Sequence, residues 1–315
     1  MKKIMSAALA AMMVMSLAAC GSSSSAPATT AAPATEAATE AATEAAETEA
    51  AETEAAETEA AETEAAAEEL KTVTPGKLTM ATSPDFAPYE FYSIGEDGTP
   101  TLAGFDIALA QYIADYAGLE LEVIPMDFDG TIMEVGQKNV DIGMAGYSPS
   151  PERAEVMDFS DIYFTGGQSL VCLEANKDKF PSLEAANDPQ FKIGAQVGSI
   201  QVGLAEENTP DADIIQMAKV TDLVAELISG KMDAAYIETE VANSYAKNYP
   251  ELCVVLEVPY ELAGSVVGVS KGNEALLKVV NEAIAECIES GKMGEFVMEA
   301  NDLANGEIIE GLIEE

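Results

Sequence analysis

Arg153 lies at the start of a predicted helix, where its cation could bind a carboxylate. Ser150 is a typical helix N-cap residue, and Pro151 suits the first helical position. Because a cation in the first turn is opposed by the helix dipole, Arg153 needs an anionic partner. A ligand carboxylate could be that partner through a bidentate contact, helped by backbone N–H groups of the loop. The alternative is that Arg153 pairs with a nearby protein acid, such as Glu155 or Asp158.

The chain contains no histidine. Catalysis by a Ser-His or Cys-His pair is therefore excluded, and so is a histidine-ligated metal. Cys172, Cys253 and Cys287 are far apart in sequence and show no C-x-x-C spacing, so a zinc site or redox motif has little support. We expect buried free thiols at these positions, and we predict no metal and no cofactor.

The charge of the chain is strongly acidic. Its 315 residues include 56 acidic and 15 basic side chains, for a net charge of −41. Residues 21–69 contain 13 glutamates and no lysine or arginine, and with Lys2 and Lys3 set aside the net charge from Leu70 onward is −30. Such a field repels a phosphate backbone, so nucleic acid is not an expected partner. A cationic solute would be mildly favoured.

Residues 1–20 have the pattern of a bacterial signal sequence. Lys2 and Lys3 form the basic start, and the apolar run 4–17 is too short and too N-terminal for a spanning helix. The segment Leu17-Ala-Ala-Cys20-Gly resembles a lipobox, which predicts lipidation of Cys20 and anchoring to the outer face of the cell membrane. The alternative is an ordinary cleaved signal with a chance cysteine.

Residues 21–69 consist almost entirely of Ser, Ala, Thr, Pro and Glu, with a repeated Glu-Thr-Glu-Ala-Ala unit. Alanine alone cannot bury enough surface to offset the entropy of ordering, so we expect a disordered tether. Partial Ala/Glu helicity is an alternative that shortens the reach without changing the role.

The segments that must position Arg153 alternate between strands and helices. The first half predicts strands at 78–82, 121–125 and 141–145 and helices at 104–117 and 132–137. The second half predicts strands at 192–196, 214–217 and 234–237 and helices at 200–207 and 222–229. This alternation indicates two α/β lobes with largely parallel sheets. The apolar spacing in 274–290 predicts a further helix with a core-facing stripe.

Four segments carry a resemblance to a known family. They are 78–91 with 102–107; 126–130; 140–161, which includes Gly146-Tyr-Ser-Pro-Ser-Pro-Glu-Arg153; and 193–201 with 230–238. Over residues 77–298 the sequence resembles the bacterial extracellular solute-binding proteins of family 3, which bind amino acids for ABC importers. The resemblance implies the type II periplasmic-binding-protein fold, in which two α/β lobes joined by two hinge strands close over a ligand.

The implied lobe boundaries follow from the same resemblance. Lobe 1 is expected to comprise 70–168 and 264–315, and lobe 2 to comprise 169–263. The hinge strands are expected near 168–170 and 263–265.

The resemblance also implies roles for individual residues. Arg153 and Ser148 would clamp the α-carboxylate of an amino acid, with a backbone N–H from Ile200 in the other lobe. Gly146 would offer its carbonyl to the α-ammonium group. Glu238 holds the position of the family's ammonium-binding carboxylate, which is more usually Asp.

The remaining implied contacts surround the ligand side chain. Phe86 and Phe128 would sandwich its apolar part, and the other contacts are Ser83, Asp85, Tyr147, Ser199 and Gln201. The alternatives are that the two phenylalanines belong to the core, that Gln201 is solvated and that Asp85 merely starts a turn. Because cation-selective members of the family carry an acid where Ser83 stands, we predict a polar or basic L-amino acid rather than a strictly basic one.

The predicted function is that of the substrate-binding lipoprotein of an ABC importer. Its expected partners are the amino acid, a permease with its ATPase, and the membrane through the lipid anchor; the receptor itself is expected to be a monomer and not an enzyme. Two alternatives stay open: a ligand-sensing surface lipoprotein, and a dehydratase-like enzyme on the same fold.

Overall fold

The computed structural model describes residues 70–95, 97–261 and 264–305. The predicted signal sequence, the lipidation site at Cys20 and the tether 21–69 lie outside these residues. In the part of the chain that the structure describes, no helix is long and apolar enough to cross a lipid bilayer.

The chain forms two successive series of strands and helices. The first series is β1 (Lys77–Thr82), β2 (Asp85–Phe86), β3 (Glu90–Ile94), β4 (Pro100–Ala103), α1 (Phe105–Ala117), β5 (Glu120–Pro125), α2 (Phe128–Gly136), β6 (Ile142–Gly143), α3 (Pro151–Ala154) and β7 (Met157–Phe159). The second is β8 (Gln168–Leu173), a 3-10 helix (Glu174–Lys179), α4 (Leu183–Ala186), β9 (Lys192–Gln196), α5 (Ile200–Asn208), β10 (Asp213–Met217), α6 (Val220–Ile228), β11 (Ala234–Glu238), α7 (Thr239–Asn248), β12 (Leu252–Val258), β13 (Gly268–Ser270), α8 (Glu274–Glu289) and α9 (Lys292–Ala304).

These elements build two five-stranded sheets. The first has the order β5-β1-β6-β13-β7 and the second the order β10-β9-β11-β8-β12, while β2, β3 and β4 form a small separate sheet. β1 is parallel to β5 and β6, and β9 is parallel to β10 and β11, whereas β13 and β8 run antiparallel to their neighbours. The two α/β lobes expected from the sequence are therefore present, in the arrangement of the type II periplasmic-binding-protein fold.

The chain passes between the two sheets twice, after β7 and after β12. The two passages meet at an antiparallel bridge, in which the Ser265 N–H donates to the Phe164 carbonyl at 2.7 Å and the Tyr163 N–H donates to the Ser265 carbonyl at 3.0 Å. Residues 168–170, where we expected a hinge strand, form the start of β8 inside the second sheet. The paired connection between the sheets lies a few residues earlier in the chain.

The predicted element ends differ from the observed ones where local turns decide them. The helix predicted at 132–137 begins earlier, because Asp127 is extended and the helical conformation starts at Phe128. The strand predicted at 141–145 is reduced to β6, because the chain turns at Gly146 with φ 58°. This early turn leads the chain from the central strand β6 into the largely buried segment before α3.

Helix α8 confirms the core-facing stripe that its spacing predicts. Its buried side chains are Leu276, Val280, Ala283, Ile284 and Cys287, and α8 packs against α1. The apolar side chains of α1 that recur on one face are buried in the same cluster. Helices α1 and α8 therefore share one apolar core.

Gly104, the residue before α1, lies against the backbone of Tyr89 next to the small sheet. Its φ is 121°, and a Cβ there would lie 2.0 Å from the Tyr89 carbonyl oxygen, which is backbone and cannot rotate away. We expect Gly104→Ala to lower the free energy of unfolding by about 3 kcal/mol or more. The control is Gly203→Ala in α5, where a Cβ meets nothing within 4 Å and should stabilise by at most about 1 kcal/mol. Urea unfolding followed by circular dichroism checks both, and equal effects would refute the steric explanation.

Candidate ligand-binding site

A partly enclosed cavity lies between the two sheets, with a volume of about 10 Å³ open to the centre of a water-sized sphere. It is lined by Phe86, Phe128, Ala145, Gly146, Ser148, Arg153, Gln168, Gln196, Ser199, Ile200, Gln201 and Glu238. Most of the residues singled out in the sequence are thus brought together, although they come from distant parts of the chain.

Arg153 lies in the first turn of α3, as predicted. The Ser150 hydroxyl caps the helix by accepting from the Arg153 backbone N–H at 3.3 Å. The guanidinium is held by two carbonyls, because Nη1 donates to the Ser148 carbonyl at 2.8 Å and Nη2 donates to the Gly198 carbonyl at 3.1 Å. Ser148 belongs to the first lobe and Gly198 to the loop before α5 in the second, so the guanidinium joins the two lobes.

No carboxylate lies within ion-pair distance of the Arg153 guanidinium among the residues that the structure describes. Asp158, one of the alternative partners, instead pairs with Lys271 at 2.7 Å. Arg153 is only 7% exposed, and burial lowers its pKa from the usual value. A buried cation without a counterion is costly, so the site is electrostatically incomplete until an anion binds.

Two aromatic rings flank the guanidinium. Its Cζ atom lies 5.3 Å from the ring centroid of Phe128 and 5.7 Å from that of Tyr147. Phe128 lines the cavity, whereas Tyr147 is fully buried behind it and its hydroxyl donates to the Thr131 hydroxyl at 2.5 Å. Tyr147 therefore supports Arg153 through its ring and does not border the cavity.

The start of α5 adds backbone donors next to Arg153. Ser199 is the N-cap residue and Ile200 the first helical residue, and both line the cavity. The Ser199 hydroxyl donates to the Gln196 carbonyl at 2.7 Å. The first N–H groups of a helix have no partner inside it and favour an anion. Together with Arg153, they make this part of the cavity suited to a carboxylate.

Glu238 contributes the opposite charge. It ends β11 and caps α7, where its Oε2 accepts from the Val241 backbone N–H at 3.0 Å. Its Oε1 is buried without a hydrogen-bond partner, and the side chain is only 4% exposed. Burial raises the pKa of Glu238 to about 7. A cationic group beside this carboxylate would favour its ionised form.

Gly146 is positioned by a buried acid. Its backbone N–H donates to Asp106 Oδ2 at 3.1 Å, and Asp106 Oδ1 accepts from the Tyr163 hydroxyl at 2.7 Å. A Cβ at Gly146 would lie 2.7 Å from the Phe86 ring, and its φ of 58° also favours glycine. The loop that reaches Ser148 is thereby fixed against the ring that lines the cavity.

Asp85 and Ser83 lie behind the cavity instead of lining it. Asp85 Oδ1 accepts from the Ser83 hydroxyl at 2.8 Å, while Oδ2 accepts from Gln196 Nε2 at 3.2 Å and from the Val220 N–H at 2.6 Å. The Asp85 carbonyl also accepts from the Tyr245 hydroxyl at 3.1 Å. Because Gln196, Val220 and Tyr245 belong to the second lobe, Asp85 holds the two lobes together in a closed arrangement.

Three lining residues did not emerge from the sequence: Ala145, Gln168 and Gln196. Gln201 Nε2 donates to Gln168 Oε1 at 2.8 Å, and together with Gln196 these amides make one wall polar. Gln196 ends a predicted strand, and the carboxyl ends of parallel strands share one edge, so strand-end position is the signal that could have found it. The described residues contain no group of His, Cys, Asp and Glu side chains that could hold a metal ion.

The buried acids predict an unusual pH dependence of stability. Burial raises the pKa of Asp85 and of Asp106 to about 6 and that of Glu238 to about 7, and it raises the pKa of Glu90 well above its usual value. Between about pH 4 and pH 7 the folded state then binds protons that the unfolded state has released, so stability falls as the pH rises.

The unliganded protein should therefore have a higher melting temperature at pH 5 than at pH 8, as measured by scanning calorimetry. Glu238→Gln should reduce this difference, because it removes a carboxyl group whose pKa rises to about 7 in the folded state, and a tenfold change in proton affinity corresponds to about 1.4 kcal/mol. Glu274→Gln, on the exposed start of α8, should leave it unchanged. A higher melting temperature at pH 8 would contradict the assignment of buried, protonated acids.

Two lobes that close over a small cavity with an unpaired cation and an unpaired carboxylate oxygen define a receptor for a small solute. The chain belongs to the bacterial extracellular solute-binding proteins, family 3, whose profile matches residues 78–299. The fold, the family and the extracytoplasmic setting that the family name describes all agree with the sequence-based expectation.

Individual relatives give this family assignment more detail. The chain is 36% identical over 222 residues to the arginine-binding extracellular protein ArtP of Bacillus subtilis, covering 69% of this chain and 83% of that one. It is similar to the crystal structure of the amino acid ABC transporter substrate-binding protein AbpA from Streptococcus pneumoniae bound to L-arginine, with a TM-score of 0.71, 31% identity, and coverage of 74% of this chain and 97% of that one. A cyclohexadienyl dehydratase of Pseudomonas aeruginosa is 26% identical over 217 residues, covering 69% of this chain and 79% of that one.

Proposed function

We propose that the chain is the substrate-binding lipoprotein of an ABC importer and that it binds a polar or basic L-amino acid reversibly in the interlobe cavity. One observation carries the proposal. Arg153, whose guanidinium has no counterion among the described residues, and Glu238, whose Oε1 has no hydrogen-bond partner, both line the same small cavity. The relatives whose names specify arginine binding or amino acid transport support the same ligand class.

A zwitterion satisfies both ends of the cavity at once. Its α-carboxylate would accept from Arg153 and the first N–H groups of α5, and its α-ammonium would donate to Glu238 and the Gly146 carbonyl. A sugar would leave a buried cation and a buried carboxylate unpaired, at a cost of roughly several kcal/mol. The charges therefore favour amino acids over neutral solutes.

The rest of the cavity favours a polar or basic side chain. Phe86 and Phe128 supply apolar faces, while the amides of Gln168, Gln196 and Gln201 can both donate and accept. Asp85 is engaged through both carboxylate oxygens, so it acts on a basic side chain through Gln196 rather than by direct contact. The polar wall accordingly accepts neutral amides as well as cations.

Lobe closure is the proposed mechanism of capture. Ser148 and Gly146 come from the first lobe, whereas Ile200 and Glu238 come from the second, so only the closed form offers all the ligand contacts. A ligand stabilises that form by its differential contacts with the two lobes. The bridge between Phe164 and Ser265 marks the point about which the lobes would rotate.

Presentation at the membrane would depend on the segment before Leu70. The lipobox-like segment at Cys20 supports lipid anchoring outside the cell membrane, and the Glu-rich tether supports a binding domain held away from the lipid. A permease and its ATPase would receive the ligand from the closed receptor.

Calorimetric titration of the purified protein against the twenty L-amino acids tests the proposal. We expect saturable 1:1 binding of at least one polar or basic amino acid, with the ligand recovered unchanged after incubation. The absence of binding by all twenty would overturn the ligand class. Chemical turnover of the ligand would instead favour a dehydratase-like enzyme.

A further inference from the structure

Two cysteines face each other in the second lobe, although they are 81 positions apart in sequence. Cys172 lies on β8 and Cys253 on β12, and the two residues are direct partners in the antiparallel register. Their sulfur atoms are 3.8 Å apart. Both are free thiols in the structure, and neither belongs to the ligand cavity.

We propose that Cys172 and Cys253 form a disulfide in the exported protein and that Cys287 stays a thiol. The inference goes beyond the amino-acid-binding function and depends only on export. Families of extracellular proteins work in compartments where disulfides form and persist. Cys287 is buried on α8, which packs on α1 in the other lobe, so it is not placed to compete for either partner.

The geometry requires only a small adjustment. The sulfur atoms must approach by roughly 1.8 Å to reach bonding distance. Opposed residues on antiparallel strands have Cβ atoms about 4.5–5.5 Å apart, close to the 3.5–4.5 Å that a disulfide needs. The register shifts between Val254 and Leu256, so the ladder is already irregular beside Cys253 and β12 can move locally.

The two thiols differ in their exposure to solvent, which determines the thiol that reacts first. Cys172 is fully buried, whereas Cys253 is partly exposed. The Cys253 thiolate would attack the disulfide of an extracytoplasmic thiol oxidoreductase, forming a mixed disulfide and releasing one thiolate of the oxidant. The Cys172 thiolate would then displace the second, so the protein dithiol loses two electrons and two protons while the oxidant is reduced to a dithiol.

Burial of the two thiols means that their oxidation needs a catalyst. Burial raises the pKa of Cys172 to about 12, and burial also raises that of Cys253. Little thiolate is present at neutral pH, so spontaneous oxidation is slow and a catalyst that engages Cys253 is needed.

The expected effect is a more stable second lobe. The bond would enclose β9, β10 and β11 in one covalent loop, and loops of this length give the larger stabilisations among disulfides. It would also tie together the two strands that lead to the interlobe bridge, at their ends remote from the bridge. We therefore expect a higher melting temperature with little change in ligand binding.

Non-reducing peptide mapping by mass spectrometry tests the proposal on protein exported by its host and alkylated before digestion. We expect a cross-linked Cys172–Cys253 peptide that separates on reduction, and an alkylated Cys287. Reduction should lower the melting temperature by about 5–15 °C. The double variant Cys172→Ala, Cys253→Ala should show no such shift, whereas Cys287→Ala should retain it.

One result would overturn the disulfide, and a second would overturn its expected stabilising effect. One is recovery of Cys172 and Cys253 as separately alkylated peptides even after treatment with a disulfide oxidoreductase and oxidised glutathione. The other is a melting temperature that reduction does not change despite a cross-link, which would remove the stabilising role. Calorimetric titration of the double variant separates this inference from the proposed function, because amino-acid binding should persist in it.

Discussion

Replacing Arg153 by alanine is expected to abolish amino-acid binding, with a loss of affinity of roughly 100- to 1000-fold or more. The guanidinium is buried, it is oriented by the carbonyls of Ser148 and Gly198, and no carboxylate of the described residues compensates it. Without it, the ligand carboxylate would be buried without the cation that the described cavity lining provides. Calorimetric titration of the variant with the best wild-type ligand measures the loss.

Matched variants separate this effect from a general loss of positive charge or of fold. Arg153→Lys keeps the charge but cannot form the two-pronged contact, so we expect an intermediate loss of about 10- to 100-fold. Lys278→Ala removes an exposed cation on α8, and its affinity should equal that of the wild type. Near-native affinity of Arg153→Ala, in a variant with a native circular dichroism spectrum, would refute the carboxylate clamp.

Replacing Glu238 by glutamine is expected to weaken binding by roughly 30-fold or more, because a buried ammonium would face a neutral amide. The change keeps the shape of the side chain and an oxygen that can cap α7, so the fold should survive. Glu240→Gln is the control, since it removes a nearby charge from the same helix outside the cavity. An affinity loss no larger than that of the control would exclude Glu238 from ammonium recognition.

The same variant should change the pH dependence of binding. The pKa of Glu238 is about 7 without ligand, and a bound ammonium group favours the ionised carboxylate and lowers it. Affinity should therefore decrease below about pH 7, by at most about tenfold per pH unit, and level off above it. Glu238→Gln should abolish this dependence. Titrations between pH 5 and pH 8.5 would contradict the assignment if wild type and variant gave parallel curves.

The parts of the fold that sequence alone could predict are those governed by local patterns. The apolar spacing of α8 matches its buried face. Helix α3 begins at Pro151 with Ser150 as its N-cap, as the sequence predicts. Element ends were harder, because the length of β6 depends on a turn at Gly146 whose cause is contact with Phe86 and Asp106. Those contacts join positions 40 or more residues apart, which no local pattern records.

The site shows the same division between local and distant causes. The sequence indicated that Asp85 lies near the ligand. The orientation of its carboxylate, however, is fixed by hydrogen bonds from Gln196 and Val220, which are 111 and 135 positions away. Tyr147 likewise turns toward Thr131 and the face of Arg153. The cysteine pair could not be foreseen, since it depends on the register of two strands far apart in the chain. Residue type and motif position predict which residues lie near the ligand. Packing between the lobes determines which atoms each side chain contacts.

Recognition of both ends of a zwitterion can be measured with modified ligands. The best amino acid ligand would be titrated beside its α-carboxamide, which lacks the carboxylate, and its N-acetyl derivative, which lacks the ammonium. We expect each derivative to bind at least about 100-fold more weakly than the parent, because each leaves Arg153 or Glu238 buried without its partner. Binding of either derivative within about tenfold of the parent would show that the cavity does not hold its ligand by both charges.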